Sequence, residues 1–191
     1  DENPAEEVNP CSNQTQIMFD EIIMDWLKIM RTKLGEVTYA GYKSNIEKCI
    51  IPYFKEKRYT LQEMERHPRY IQEFYQYMLD SGLSPSTVIR RHANIRKCLH
   101  HAFQLGLIKS NPADRVEKPR KNKYEATIYN KEELDQLFKV VKGDPLELAV
   151  ILGAFYGLRR SEVVGLKWDA IDFERKTISI RHTVVQFTVD G

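Results

Sequence analysis

Apolar residues recur at helical spacing from Ile17 onward. Phe19, Ile22, Ile23, Trp26, Leu27 and Met30 fall three and four apart and predict one buried stripe on a first helix. Gly35 interrupts it. A second helix is expected from about Val37 to Tyr53, with Tyr42, Ile46, Cys49 and Ile50 inward and Pro52 limiting its far end. Thr60 and Glu63 have the spacing of a capping box, each side chain serving the other's backbone N–H. Arg69 to Ser81 reads as an aromatic-rich helical segment ended by Gly82. Ser84 then caps a further helix with Pro85 in its first turn, where a missing N–H costs nothing. Val88, Ile95, Leu99, Ala102 and Phe103 form its expected buried face, Gly106 stops it, and Asn111-Pro112 bars its continuation.

The pattern then changes. Lys109 to Thr127 is basic, proline-bearing and without period, and reads as a linker. Asn130 and Glu133 form a second capping box before Leu134, Leu137, Phe138 and Val141. Pro145 to Tyr156 is apolar enough to predict a helix buried all round, ended by Gly157. Lys176 to Thr188 alternates as a strand does, and Val189-Asp190-Gly191 resembles a hairpin turn. Residues 1–15 are polar and aperiodic and read as a disordered tail or linker. The expected organisation is therefore a tail (1–15), an all-helical domain (16–112), a basic linker (113–127) and the opening of a domain that turns from helix to sheet (128–191). The chain neither starts with Met nor ends at a natural stop, so it is read as a piece of a longer protein.

Composition adjusts this picture in two places. The 191 residues carry a net charge of +2, but residues 1–15 hold four acids and no base, leaving 29 bases against 23 acids beyond them. Ten bases and two acids lie between Ser84 and Lys123, a band that a polyanion would feel and that is otherwise a solvated basic face. Cys11, Cys49 and Cys98 have neither metal nor disulfide spacing, and Cys49 and Cys98 fall in helical apolar patterns. No apolar run reaches bilayer length, so no membrane partner is expected.

Candidate chemistry concentrates at Gly157 to Asp169. Arg159 and Glu162, three apart, share a helical face and can support each other, whereas Arg160 stands only two from Glu162. A guanidinium held that way is a preset clamp for phosphate oxygens. The bland alternative is a surface salt bridge. Elsewhere, the second helix offers Thr38, Tyr39, Lys43 and Lys48 on its polar side. The helix after Ser84 offers Ser84, Ser86, Thr87, Arg90, Arg91 and Asn94, and the linker offers Lys118, Arg120 and Lys121. Hydroxyls near helix starts and flexible cations suit DNA phosphates, and Arg91 and Asn94 have the chemistry to read base edges. Read blandly, the whole set is solvated surface.

Three segments in order carry a resemblance: the run from Leu83 to Arg91 with its Asn111-Pro112 exit, the capped start from Asn130 to Leu134, and the box from Gly157 to Asp172. Together they resemble the tyrosine recombinases, the phage and conjugative-transposon integrases. The resemblance implies a mainly α fold. It consists of a helical, SAM-like core-binding domain followed by the truncated start of a mixed α+β catalytic domain. It implies that Arg159 contacts the scissile phosphate with Glu162 in support, and that the full-length protein is a site-specific recombinase of a mobile element. Such an enzyme cuts and rejoins double-stranded DNA through a 3′-phosphotyrosyl link as a homo-tetramer. It needs no metal, ATP or other cofactor, and works in a bacterial cytoplasm, whether bacterial or phage-encoded. The family's catalytic lysine, His-x-x-Arg box and nucleophilic tyrosine would lie beyond Gly191, since Lys167 and Lys176 come too early, so this stretch alone would bind DNA without cutting it. A non-enzymatic DNA-binding regulator and a helical protein-interaction module are the rival readings.

Overall fold

The computed structural model describes residues 16–123 and 125–187. The tail, Cys11 and the turn at 189–191 lie outside the described residues. The chain divides into two compact units, Asp1–Asn122 and Lys123–Gly191.

In the first unit, α1 (Phe19–Lys33) buries Phe19, Ile23, Trp26 and Leu27, as its stripe predicts. Its start is tied to the distant turn before α4 (Leu61–Arg66): Phe19 N–H donates to Tyr59 O at 3.0 Å and Leu61 N–H to Ile17 O at 2.8 Å. The Thr60–Glu63 capping box forms, with Thr60 N–H donating to Glu63 Oε2 at 2.8 Å.

The expected end at Pro52 does not occur. α2 (Glu36–Asn45) runs through a π turn (Ile46–Ile50) directly into α3 (Ile51–Lys57), with Pro52 inside the first turn of α3. Ile51 N–H bonds back five residues to Ile46 O. A wider turn just before a proline gives its ring room and removes the carbonyl clash that would otherwise break the helix. The helix ends instead at Arg58, in left-handed conformation (φ +55°).

α5 (Arg69–Asp80) packs Ile71, Phe74, Tyr75 and Met78 inward. Gly82, at φ +81°, closes it, and Leu83 N–H reaches back to Met78 O. α6 (Pro85–Gln104) is the central helix, touching α1, α5 and the π turn. Val88, Ile95, Leu99 and Ala102 are buried as expected, but Phe103 is 44% exposed. An aromatic cluster of Phe19, Phe54, Phe74 and Tyr53, with ring centroids 4.7–5.1 Å apart, fills the middle of the unit.

The first residues of the expected linker belong to this unit. A 3₁₀ turn (Pro112–Arg115) docks against α6 and α4, with Pro112 and Ala113 buried. Glu65 Oε1 accepts from Lys109 N–H (2.6 Å) and Ser110 N–H (2.8 Å). Arg115 donates to Glu65 O, Arg96 pairs with Asp114, and Asn111 donates to Arg96 O. Lack of periodicity marked this stretch as linker, yet its polar groups are satisfied from α4 and α6.

In the second unit, α7 (Lys131–Val140) starts at the predicted Asn130–Glu133 box and meets α8 (Glu147–Tyr156) through stacked Phe138 and Phe155, 5.3 Å apart. Full burial of α8 was expected, but only Leu152 is buried, and Leu148 and Phe155 are 61% and 70% exposed. An apolar helix is covered only by the neighbours it has, here α7 and α9 (Arg160–Gly165). The expected strand is also shorter. β2 (Thr177–Ile178) pairs antiparallel with β1 (Ile171–Asp172). Residues 179–187 continue without a ladder, bonding only at Ser179 N–H to Ala170 O and Val184 N–H to Ser161 O.

Candidate functional site

Gly157 ends α8 in left-handed conformation (φ +66°), which lets the chain reverse within two residues. Arg159 follows as the extended N-cap of α9. Its own side chain cannot accept the orphan N–H groups of the helix start, so Glu162 does the reverse job. Glu162 Oε2 accepts the Arg159 backbone N–H at 2.8 Å and Oε1 accepts Arg159 Nη1 at 3.0 Å. One carboxylate thus fixes both ends of one residue.

The pair is asymmetric. The Arg159 side chain is 83% exposed and that of Glu162 only 17%. An exposed pair of this kind is worth at most about 1 kcal/mol to the fold. What it sets is aim: one Nη is anchored, and among the described residues no other partner engages the remaining guanidinium donors. The backbone N–H of Arg159, and then its guanidinium, hold the Glu162 carboxyl below the ordinary carboxylate range, while partial desolvation opposes them. The anchor is therefore charged at neutral pH. Arg160 is exposed and, among the described residues, forms no ion pair with Glu162.

α9 is braced from behind. Gly165 lies so close to residues 182–183 that a Cβ there would sit 2.7 Å from His182 O. The Val184 N–H to Ser161 O bond (2.9 Å) ties the same segment to the turn that carries Arg159 and Glu162. A glycine at a helix end is the one trace of this contact in the residue pattern.

The candidate DNA-contact residues of the first unit divide into two groups. Thr38, Ser84, Ser86, Arg90, Lys118, Arg120 and Lys121 are exposed. Tyr39 is half-buried against the core, and Lys43 is half-buried beside Glu47 at 4.0 Å. The Ser84 and Thr87 hydroxyls lie 3.0 Å apart, and Ser84 Oγ accepts Thr87 N–H, so both are partly used in capping α6. Arg91 and Asn94 depart from expectation: they are 8% and 3% exposed and do not stand on an open polar face. A central helix is covered on more than one side, and α5 reaches Arg91 through Met78 Sδ. Lys97, not singled out from the sequence, joins α6 to α2 by donating to Tyr42 OH at 2.6 Å.

Comparison with known proteins bears on this geometry. Residues 18–79 match the phage integrase N-terminal SAM-like domain. An integrase of Saccharopolyspora erythraea is 27% identical over 143 residues, 75% of this chain and 32% of its own length. The tyrosine recombinase XerC of Staphylococcus aureus strain JH9 is 26% identical over 165 residues, 84% of this chain and 54% of its own. Across these segments the chain is similar to the tyrosine recombinases. The chain spans between about a third and about half the length of those relatives. Its fold is that of the Tn1549 transposon integrase in complex with transposon right end DNA (TM-score 0.77, 18% identity, 92% of this chain and 56% of the other). It is also that of a lambda integrase dimer bound to a COC′ core site (TM-score 0.69, 18% identity, 82% and 44%). No helix among the described residues is long and apolar enough to cross a membrane.

Proposed function

We propose that this chain is the DNA-gripping portion of a site-specific recombinase of a mobile element. In the whole protein a tyrosine oxygen attacks the scissile phosphorus. The O5′ bond breaks, the 5′-hydroxyl departs, and a 3′-phosphotyrosyl link stores the energy for rejoining. Arg159 holds the non-bridging oxygens as their charge grows, and Glu162 keeps the guanidinium aimed. Loss of a preset donor of this type costs about a hundredfold or more in rate. No metal or nucleotide is needed for such a transesterification.

The carrying observation is the exposed, half-satisfied guanidinium of Arg159 anchored by a largely buried carboxylate. The cations from Arg90 to Lys123, exposed apart from Arg91, support duplex DNA as the partner. Three solved structures of like fold, of two integrases, are bound to DNA, one of them a lambda integrase tetramer bound to a Holliday junction. The last of these supports a homo-tetramer on DNA for the whole protein. On this reading the chain itself grips DNA.

Titration of this chain with duplex DNA at several salt concentrations tests the binding half. With several phosphate contacts, affinity falls steeply as salt rises, with a log–log slope of about −0.9 per phosphate. A flat response favours a protein-interaction module instead. Covalent protein–DNA adduct formation by the full-length protein separates the recombinase from a regulator.

A further inference from the structure

Arg91 and Asn94 are the least expected residues of the first unit. With Ser84, Thr87 and Cys98 they form one stripe along α6, spaced three and four apart. The stripe descends from the surface: Ser84 is exposed, Thr87 half-buried, Arg91 8% exposed, Asn94 3% and Cys98 fully buried. Polar side chains therefore run into the bundle beside the cap of α6.

They are not satisfied there. Arg91 Nη1 donates only to the Met78 thioether, at 3.3 Å, and a thioether is a weak acceptor. Arg91 Nε and Asn94 Nδ2 are buried without a hydrogen-bond partner. Among the described residues no carboxylate pairs with Arg91. Neighbouring arginines are treated differently: Arg69 has Glu73, Arg96 has Asp114, and Arg115 has the Glu65 carbonyl. A guanidinium shut away from water with no counter-charge is strongly unfavourable, and a well-packed apolar residue would serve the fold better. Its retention calls for an acceptor from outside the protein. The 8% exposure leaves the niche unsealed.

We propose that Arg91 and Asn94 form a niche for one backbone phosphate of duplex DNA, deeper than the surface cations around it. This rests on the reading of α6 as a DNA-facing helix. Part of the guanidinium, Nε above all, has already lost its water in the free protein, so the phosphate meets a donor with less hydration to displace. Arg91 then acts as a backbone contact that fixes register, not as a reader of base edges.

The test compares wild-type chain with Arg91→Met and Arg91→Lys, measuring thermal midpoint and duplex affinity across a salt series. Arg91→Met is expected to fold at the same or a higher midpoint, because the buried charge is gone. Its DNA affinity drops about tenfold, with a salt slope shallower by about one unit. Arg91→Lys keeps the slope but loses affinity, since an ammonium cannot bridge two phosphate oxygens. In the wild-type chain, the Arg91 Nε–H resonance shifts and gains exchange protection when duplex is added. That readout decides the matter if Arg91→Met does not fold. Salt-steep wild-type binding with an unaltered Arg91→Met affinity and slope overturns the niche while leaving DNA binding intact. An Nε–H signal indifferent to duplex overturns it equally. If wild type shows no salt-dependent binding, the DNA-facing reading of α6 falls and takes the niche with it.

Discussion

Replacing Gly165 by alanine adds one methyl group at the end of α9, and its effect can be worked from distances. The new Cβ would lie 2.7 Å from His182 O, 2.9 Å from Thr183 Cα and 3.0 Å from His182 C. These are backbone atoms, so no side chain can swing aside. Carbon contacts settle at about 3.5–4.0 Å, so residues 182–183 must withdraw by about 0.5–1 Å. The Val184 N–H to Ser161 O bond, now 2.9 Å, then passes the limit of a useful hydrogen bond. Overpacking of this kind costs about 1–3 kcal/mol. Opposing it, alanine is favoured over glycine within a helix by at most about 1 kcal/mol, and less at a last residue. The net is a loss of about 1–2 kcal/mol, taken from the brace behind Arg159. Amide hydrogen exchange at Val184 reads it directly, with amides of α6 as internal reference. Exchange should accelerate roughly tenfold. If Gly165→Ala leaves Val184 protected, or stabilises the chain as helix propensity alone would have it, the close approach is wrong.

Other perturbations follow from the same geometry. Glu65→Ala removes the acceptor for the N–H groups of Lys109 and Ser110. It should free the segment from Lys109 to Val116 at a cost of about 1 kcal/mol. Limited proteolysis there should quicken while the core unfolds as before, and unchanged cleavage would contradict the latch. Acid is the third perturbation. Burial, and then the charges of Lys118 and Arg96, hold the His92 imidazole below its ordinary 6.5, against a smaller opposing pull from Asp114. The unfolded chain therefore takes up that proton first. Stability is full above pH 6.5 and falls as pH drops through the lower folded value. Urea midpoints should decline in that window and decline less in His92→Gln. Glu63 and Glu162, both held low, add their losses only below pH 4.5.

Local signals in the sequence carried most of the architecture. The capping boxes at Thr60 and Asn130 and the stop at Gly82 are short-range chemistry, complete within four residues, and each stands where it was read. The π turn before Pro52 was not legible, because a proline inside a helical pattern signals an end unless the preceding turn widens. Docking of residues 109–116 was invisible for a different reason. It depends on Glu65, more than forty positions away, supplying acceptors that no period announces. Arg91 and Asn94 were misplaced because one helical face was assumed to be enough for the core. A central helix has neighbours on several sides, and α5 closes over the stripe taken as open. At the candidate site, the Arg159–Glu162 spacing foretold the pairing. The brace from residues 182–184 was out of reach, since a chain crossing at 2.7 Å leaves only a glycine as its trace.

The most direct test of the proposed phosphate clamp is strand cleavage by the full-length protein carrying Arg159→Ala, scored as covalent protein–DNA adduct against its own DNA affinity. If the guanidinium grips the phosphorus centre as charge develops, as proposed, cleavage falls by about a hundredfold or more while binding changes far less. Arg159→Lys should recover only part of the rate, as a point charge lacks the planar fork. Cleavage at the wild-type rate in Arg159→Ala would contradict the account.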